Sequence, residues 1–166
     1  MMNRSRFKKV LAVSVLALTS AAVYTATAQD APPPTPEQVA ASSTATRQAV
    51  FKLLAFNMAP INGMARNTVE FDAAVAQRNA LRVAALAPMI PEVFAANDTR
   101  SFDVTTEALP IIWDNMDDFR AKAAALEEAA NTFAAVAAGG DRAATIGAIR
   151  AFGSTCGNCH REYRVD

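Results

Sequence analysis

The sequence predicts an all-α fold, an antiparallel four-helix bundle running up-down-up-down. Three observations point there. Ala is abundant, only 6 of 166 residues are Gly, and β-branched residues seldom run together, a composition that favours close-packed helices over strands. Apolar residues recur at alternating spacings of four and three along several segments. The connections between the first and second segments and between the third and fourth are short, which makes each pair antiparallel neighbours.

Residues 29–35, with three consecutive prolines, read as an extended leader. Thr35-Pro36-Glu37-Gln38 then supplies an N-cap, a proline at the first helical position and a Gln placed to close a capping box. The first helix is expected from Pro36 to about Met64, with Pro60 bending it or ending it early. Asn67 followed by Glu70 reads as a second capping box, opening a second helix to about Ala87 that Pro88 and Pro91 stop. Its seam is Val69, Ala73, Ala76, Ala80, Val83 and Ala87. Residues 88–106 read as the longest connection. A third helix is expected from near Pro110 to Ala138, with Ile112, Met116, Phe119, Ala123, Leu126, Ala130, Phe133 and Ala137 on its seam. Gly139-Gly140 offers its left-handed C-cap. Asp141 caps a fourth helix through Tyr163, with Ile149, Phe152, Cys156, Cys159 and Tyr163 facing inward. Such seams belong to helices crossing near 20°. Many seam positions are Ala, which allows close approach or leaves volume for a planar group.

Charge is unevenly spread. Arg4, Arg6, Lys8 and Lys9 precede every acid in the chain, and residues 29–166 carry 12 basic against 16 acidic side chains, a net charge of −4. A mildly acidic surface without a basic stripe argues against nucleic acid. The basic start, the apolar run Val10–Leu18 and the ending Ala26-Thr27-Ala28 have the three-part layout of a secretory signal peptide. The other reading, an uncleaved anchor, meets an apolar run short of the ~20 residues that span a bilayer. The expected division is a signal peptide over 1–28, cleaved near Ala28-Gln29, and an exported domain over 29–166 with no membrane attachment after cleavage.

In an oxidising compartment two cysteines ordinarily suggest a disulfide, but Cys156 and Cys159 would close only a tiny loop and gain little stability from it. Their sequence, Cys156-Gly157-Asn158-Cys159-His160, is the C-x-x-C-H signal for c-type haem attachment. One helical turn spaces two sulfurs to meet the two vinyl groups of haem, and the next residue, His160, can ligate the iron through its imidazole. Two other readings are open. A redox dithiol usually opens a helix in a βαβ unit, whereas this pair ends one. A structural zinc needs four ligands, whereas the chain has two Cys and one His. A sulfur ligand on the other side of the iron would come from Met58, Met64, Met89 or Met116, residues that at helical spacing also serve as core filler. Paired catalytic carboxylates, a nucleophile elbow and a phosphate loop are all missing from the sequence, so no enzyme is expected. Trp113 reads as a packing residue, and Asp117-Asp118 and Glu127-Glu128 as solvated faces.

The ending Cys156 to Arg164 fits C-x-x-C-H-x-x-Tyr/Phe-Arg and, with four helices before it, resembles the cytochrome c′ family, itself a standard example of the four-helix bundle. The likeness spans nearly the whole chain after residue 28. It implies one covalent haem c on the C-terminal helix. Arg47-Gln48-Ala49-Val50-Phe51-Lys52 looks like the family segment in which Arg and Gln contact the haem propionates and a bulky residue covers the distal face. Carried over, Arg47 and Gln48 would hold propionates, Phe51 would occupy the distal pocket, Glu107 would contact haem at the start of the third helix, and Arg164 would lie beside His160.

Low-spin relatives place a ligating Met where this chain has Phe51. The resemblance therefore implies a five-coordinate iron open to small diatomic gases (NO, CO), in a periplasmic protein that binds such gases, transfers electrons to a redox partner protein, or both. Pro60 within the Met58–Met64 stretch departs from the pattern and could bring a Met to the iron. The alternative is accordingly a six-coordinate electron carrier with a Met ligand. The family also pairs through its first two helices, which implies a homodimer, with Phe71, Val75 and Leu86 as candidates to cover the interface.

Overall fold

The computed structural model describes residues 32–165, so the expected signal peptide lies outside the described residues. Four long helices form the bundle: α1 (Pro36–Ala65), α2 (Ala73–Leu86), α4 (Met116–Ala138) and α5 (Arg142–Tyr163). A short α3 (Met89–Ala95) and a 3₁₀ turn (Pro110–Trp113) lie between α2 and α4. No described helix is long and apolar enough to cross a membrane.

The start of α1 is as expected. Thr35 Oγ1 accepts from the Gln38 N–H at 3.3 Å, and Gln38 Oε1 accepts from the Thr35 N–H at 2.8 Å. Pro60 does not end the helix. The hydrogen bond it deletes would have gone to the carbonyl of Phe56, whose side chain is 67% exposed, a face where water can satisfy that oxygen.

Asn67 does not open α2. It adopts a left-handed φ of 55° and closes α1, with Thr68 N–H donating to Gly63 O and Asn67 N–H to Met64 O, the paired bonds of a Schellman cap. Val69, expected on the second seam, folds back on Gly63, where a Cβ would meet its Cγ2 at 2.9 Å, and stays exposed. The N-cap of α2 is Asp72, which accepts from Val75 N–H at 2.9 Å.

Residues 88–106 are not one long connection. Pro88 and Pro91 stand at the start of α3, where a missing N–H costs nothing because first-turn donors lack partners anyway. Ile90 and Phe94, four apart, are buried by it. The third helix is likewise divided. Pro110 starts the 3₁₀ turn, Asn115 breaks the helical backbone (φ −119°, ψ 38°), and α4 begins at Met116. After α4, Gly140 takes a positive φ of 75° and Asp141 caps α5 by accepting from Ala144 N–H at 2.6 Å.

The helices form a ring in which α1 packs on α2, α2 on α4 and α4 on α5, while α5 returns to α1 through much sparser contact. All the expected α4 seam residues are buried except half-buried Met116. Toward one end of α4, opposite the middle of α5 and one turn before Cys156, Phe133 and Phe152 pack with ring centroids 5.2 Å apart. Phe133 is 1% exposed, so Phe133→Ala is expected to lower unfolding stability by about 3–5 kcal/mol, read from denaturant melts. At the other end Phe94, Trp113, Phe119 and Tyr163 form an aromatic cluster with neighbouring centroids 5.1–5.7 Å apart.

Candidate functional site

The last turns of α5 carry the attachment sequence. Cys156 and Cys159 are both free thiols, half-buried, packed against the core and one turn apart. Burial pushes the Cys159 thiol up to about 11 and shifts Cys156 in the same direction. A redox dithiol needs the opposite, a depressed pKa that populates the nucleophilic thiolate. Among the described residues no group of three or more His, Cys, Asp or Glu side chains could hold a metal ion, which leaves the zinc reading without ligands.

His160 follows on the more exposed flank of the helix. Desolvation, and secondly the positive charge of Arg164, hold its imidazole below the ordinary value, with Glu107 partly opposing. The ring is therefore neutral near neutral pH, the form that ligates iron. Arg164 and Glu107 form an ion pair, Nε to Oε2 at 2.8 Å. The backbone ties the same two segments together: Leu109 N–H donates to Tyr163 O, Val165 N–H to Glu107 O, and Arg164 N–H to His160 O. Glu107 and Arg164 thus meet each other and brace the end of α5 beside His160.

Across the bundle, Thr44, Arg47, Gln48 and Phe51 share one side of α1 at the spacing i, i+3, i+4, i+7. Arg47 is 5% exposed. Its Nε donates to Val93 O at 3.0 Å, its Nη1 to Thr99 Oγ1 at 2.7 Å and its Nη2 to Asn97 O. The guanidinium also lies over the rings of Phe94 (4.8 Å) and Trp113 (5.1 Å). Gln48 Nε2 donates to Thr105 O at 3.0 Å. Both expected propionate contacts therefore also anchor the segment 93–105, and Arg47 keeps two of its five N–H donors for another acceptor. Phe51 is 36% exposed and meets Phe94 edge to face at 6.4 Å.

Of the four candidate methionines, Met64 is buried at 3%, Met89 is 42% exposed, and Met58 and Met116 are half-buried against the core. Met58 stands seven residues beyond Phe51, about 10 Å along the helix axis.

Three features fit a large planar group between α1 and α5. These two helices are the sparsest of the neighbouring pairs. Gly153, one turn before the cysteines, faces space in which a Cβ would meet nothing within 4 Å. Thr44 Oγ1 is buried without a hydrogen-bond partner on the same side of α1 as Arg47 and Gln48. The donor set of two thiols and a neutral imidazole suits c-type haem.

Sequence patterning misses Phe94, because Pro88 and Pro91 read as stops; the Ile90/Phe94 spacing of four is the signal that finds it. Asp118 lies on a solvated face as expected, yet it also accepts the Tyr163 hydroxyl at 2.6 Å, a partner forty-five positions away that no local pattern shows. That bond lowers the Asp118 pKa below the ordinary carboxylate value, aided by Lys122. A depressed native pKa adds stability above the unfolded-state pKa, and acid removes it as pH falls through the native one. Asp118→Asn is thus expected to destabilise the protein at neutral pH by an amount that shrinks in acid, read from paired urea melts.

The family described as Cytochrome C' matches residues 42–164. Cytochrome c-554 of Cereibacter sphaeroides is 40% identical over 119 residues, covering 71% of this chain and 77% of that protein. The solved cytochrome c prime from Shewanella frigidimarina superposes with a TM-score of 0.68 at 34% identity, covering 76% of this chain and 97% of its own. Another cytochrome c', whose structure is described as showing an unusual ligand-controlled dimer dissociation, superposes at 0.65 with 30% identity over 76% of this chain and 97% of that one. A haem-attachment turn on the last helix of such a bundle, matched along nearly all of its described length, places the chain in the cytochrome c′ family, whose members carry covalently attached haem c.

Proposed function

We propose that this chain is a periplasmic haem protein with a five-coordinate iron, held by thioethers at Cys156 and Cys159 and by the His160 imidazole, that binds small diatomic gases, transfers electrons, or both. The observation that supports the reading is the chemistry of the attachment turn, half-buried thiols with raised pKa values followed by an imidazole with a lowered one, together with a residue at position 51, Phe, that has no atom able to ligate iron. When bound, the haem supplies a redox-active iron that takes up NO or CO. The chain's residues do the rest. Cys156 and Cys159 fix the group covalently. Partial burial first, and the Arg164 charge second, hold the imidazole pKa below its ordinary value, which favours the form that ligates iron. Arg47 and Gln48 present their remaining donors to the propionates, with the Thr44 hydroxyl beside them. Phe51 and Phe94 make the distal face apolar, which discourages water and bulky ligands while admitting small neutral ones. In this reading the protein's role is that of a haem carrier.

The test is the optical spectrum of matured protein, ferric and ferrous, with and without NO. A high-spin ferric spectrum that shifts on NO addition supports the reading. A methionine-to-iron charge-transfer band in the ferric spectrum would replace it with the six-coordinate electron carrier.

Pairing of two copies through α1 and α2 belongs to the same proposal. Phe71, Val75 and Leu86 are half-buried against the protein's own core, so the larger share of an interface falls to Leu53, Phe56 and Leu81, exposed at 50%, 67% and 47%. The relative with ligand-controlled dissociation pairs as a dimer. Sedimentation of the wild type against Phe56→Glu tests it, with a shift to monomer in the variant as the expected result. The basic, apolar and small-residue layout of residues 1–28 supports export, and N-terminal sequencing of secreted protein should begin near Gln29.

A further inference from the structure

The phenol at the end of α5 has no part in the haem contacts above. Tyr163 is 4% exposed and stands four residues beyond Cys159, so its ring shares a helix face with that sulfur. Its hydroxyl donates to Asp118 Oδ2 at 2.6 Å, a length typical of a hydrogen bond to an ionised acceptor. Lys122 Nζ lies 3.5 Å from the same oxygen and 3.0 Å from Glu162 Oε1, which keeps Asp118 a carboxylate. The Tyr163 ring packs on Phe119 at 5.2 Å, Phe119 on Phe94 at 5.1 Å, and Phe94 on Trp113 at 5.7 Å.

We propose that Tyr163 is a redox-active side chain, giving up one electron to oxidising equivalents that arise at the haem while Asp118 takes its proton. The inference rests on the haem assignment of Cys156, Cys159 and His160. In the step, the phenol O–H bond breaks, the proton moves along the existing hydrogen bond to Asp118 Oδ2, and one electron leaves the ring. A neutral phenoxyl and a neutral carboxyl remain. The oxidant is a hydroperoxide, which takes two electrons and two protons to become an alcohol and water. Tyr163 supplies one electron and, through Asp118, one proton; the haem supplies the second electron and solvent the second proton.

Electrostatics favours Tyr163 over Trp113, the other tyrosine or tryptophan among the described residues. Trp113 faces two guanidinium groups, Arg47 at 5.1 Å and Arg100 at 5.8 Å, which oppose removal of an electron. Its indole N–H donates to a carbonyl, Phe94 O, a much weaker base than a carboxylate. Lys122 stands 6.0 Å from the Tyr163 ring, but Asp118 and Glu162 both pair with that ammonium. A bond that merely pinned α5 to α4 would need no proton acceptor; this one holds an ionised acceptor at transfer distance from a largely buried phenol, which without a base is hard to oxidise.

The chain has two tyrosines, Tyr24 and Tyr163, and one tryptophan, so holoprotein beginning at Gln29 has a single tyrosine and gives a clean radical assignment. Matured holoprotein is mixed with hydrogen peroxide and freeze-quenched for electron paramagnetic resonance, and a parallel sample is treated with a nitroxide spin trap and mapped by peptide mass. The expected result is a tyrosyl signal that narrows when ring-deuterated tyrosine is incorporated, with the trap adduct on Tyr163. Tyr163→Phe removes both. Asp118→Asn keeps the phenol but loses the base, and the yield falls by about tenfold or more. The proposal is overturned by a signal that deuteration leaves unchanged, an adduct on Trp113, equal yield in Asp118→Asn, or no radical while peroxide is consumed and the haem spectrum is intact. Protein without covalent haem overturns the haem assignment instead, which separates the two failures.

Discussion

A chain carrying Cys156→Ser and Cys159→Ser together, expressed where haem is attached to c-type proteins, is expected to show no haem stain on a denaturing gel and to lack the mass of one porphyrin. The effect is all-or-none because only thioether bonds survive denaturation. Either single variant should retain covalent haem at reduced yield, since the remaining sulfur still reaches one vinyl group. The fold should withstand the change better than the cofactor does. Both positions are half-buried and lie against the core without filling its centre, so the cost of each replacement is that of trimming a partly buried small side chain. Far-UV circular dichroism of the double variant should therefore remain helical. An unfolded double variant would mean that haem, and not the protein core around Phe133 and Phe152, carries most of the stability.

The second large effect is expected at Phe51. Phe51→Met puts a thioether on the side of α1 that carries Arg47 and Gln48, and a long flexible Met fits a half-exposed position with little strain. The ferric protein should change from high to low spin, gain the methionine-to-iron band, and lose most of its affinity for CO and NO, because the ligands compete for one coordination position. Phe51→Ala is the control in the other direction: it opens the distal face, so affinity for gases should be kept or raised and bulkier ligands admitted. If Phe51→Met left the spectrum unchanged, the residue over the iron would be another, and Met58, half-buried two turns along α1, would be the first to replace.

Most of the bundle was legible in the sequence because its physics is local. The Thr35 capping box, the Gly140-Asp141 corner and the α4 seam each depend on residues within one or two turns, and each formed as written. The errors fell where the same residue types serve two structures. Asn suits an N-cap and also a left-handed C-cap, and at Asn67 the choice was made by Val69 folding onto Gly63, a contact no capping rule contains. Proline ends one helix and begins another, so Pro88 and Pro91 hid α3 and with it Phe94.

The attachment sequence was equally legible, since its spacing is chemical and does not depend on the rest of the chain. Its surroundings were not. Arg47 reaches Val93, Asn97 and Thr99, some fifty positions away, and Tyr163 finds Asp118 forty-five positions back. Sequence patterning shows which face a residue occupies but not which distant segment it will meet.

The helices that would flank the haem in the proposed reading are the first and the last among the described residues. Bringing them together closes the longest loop in the fold, which is the slowest kind of contact to form. The α2–α4 and α4–α5 pairings are nearer in sequence and more densely packed, so they assemble earlier. On the proposed reading, a newly exported chain thus passes through a stage in which the attachment turn is already helical while its opposite wall has not arrived. In that stage a maturation enzyme has room to reach both sulfurs, and the arrival of α1 then shuts the cofactor in.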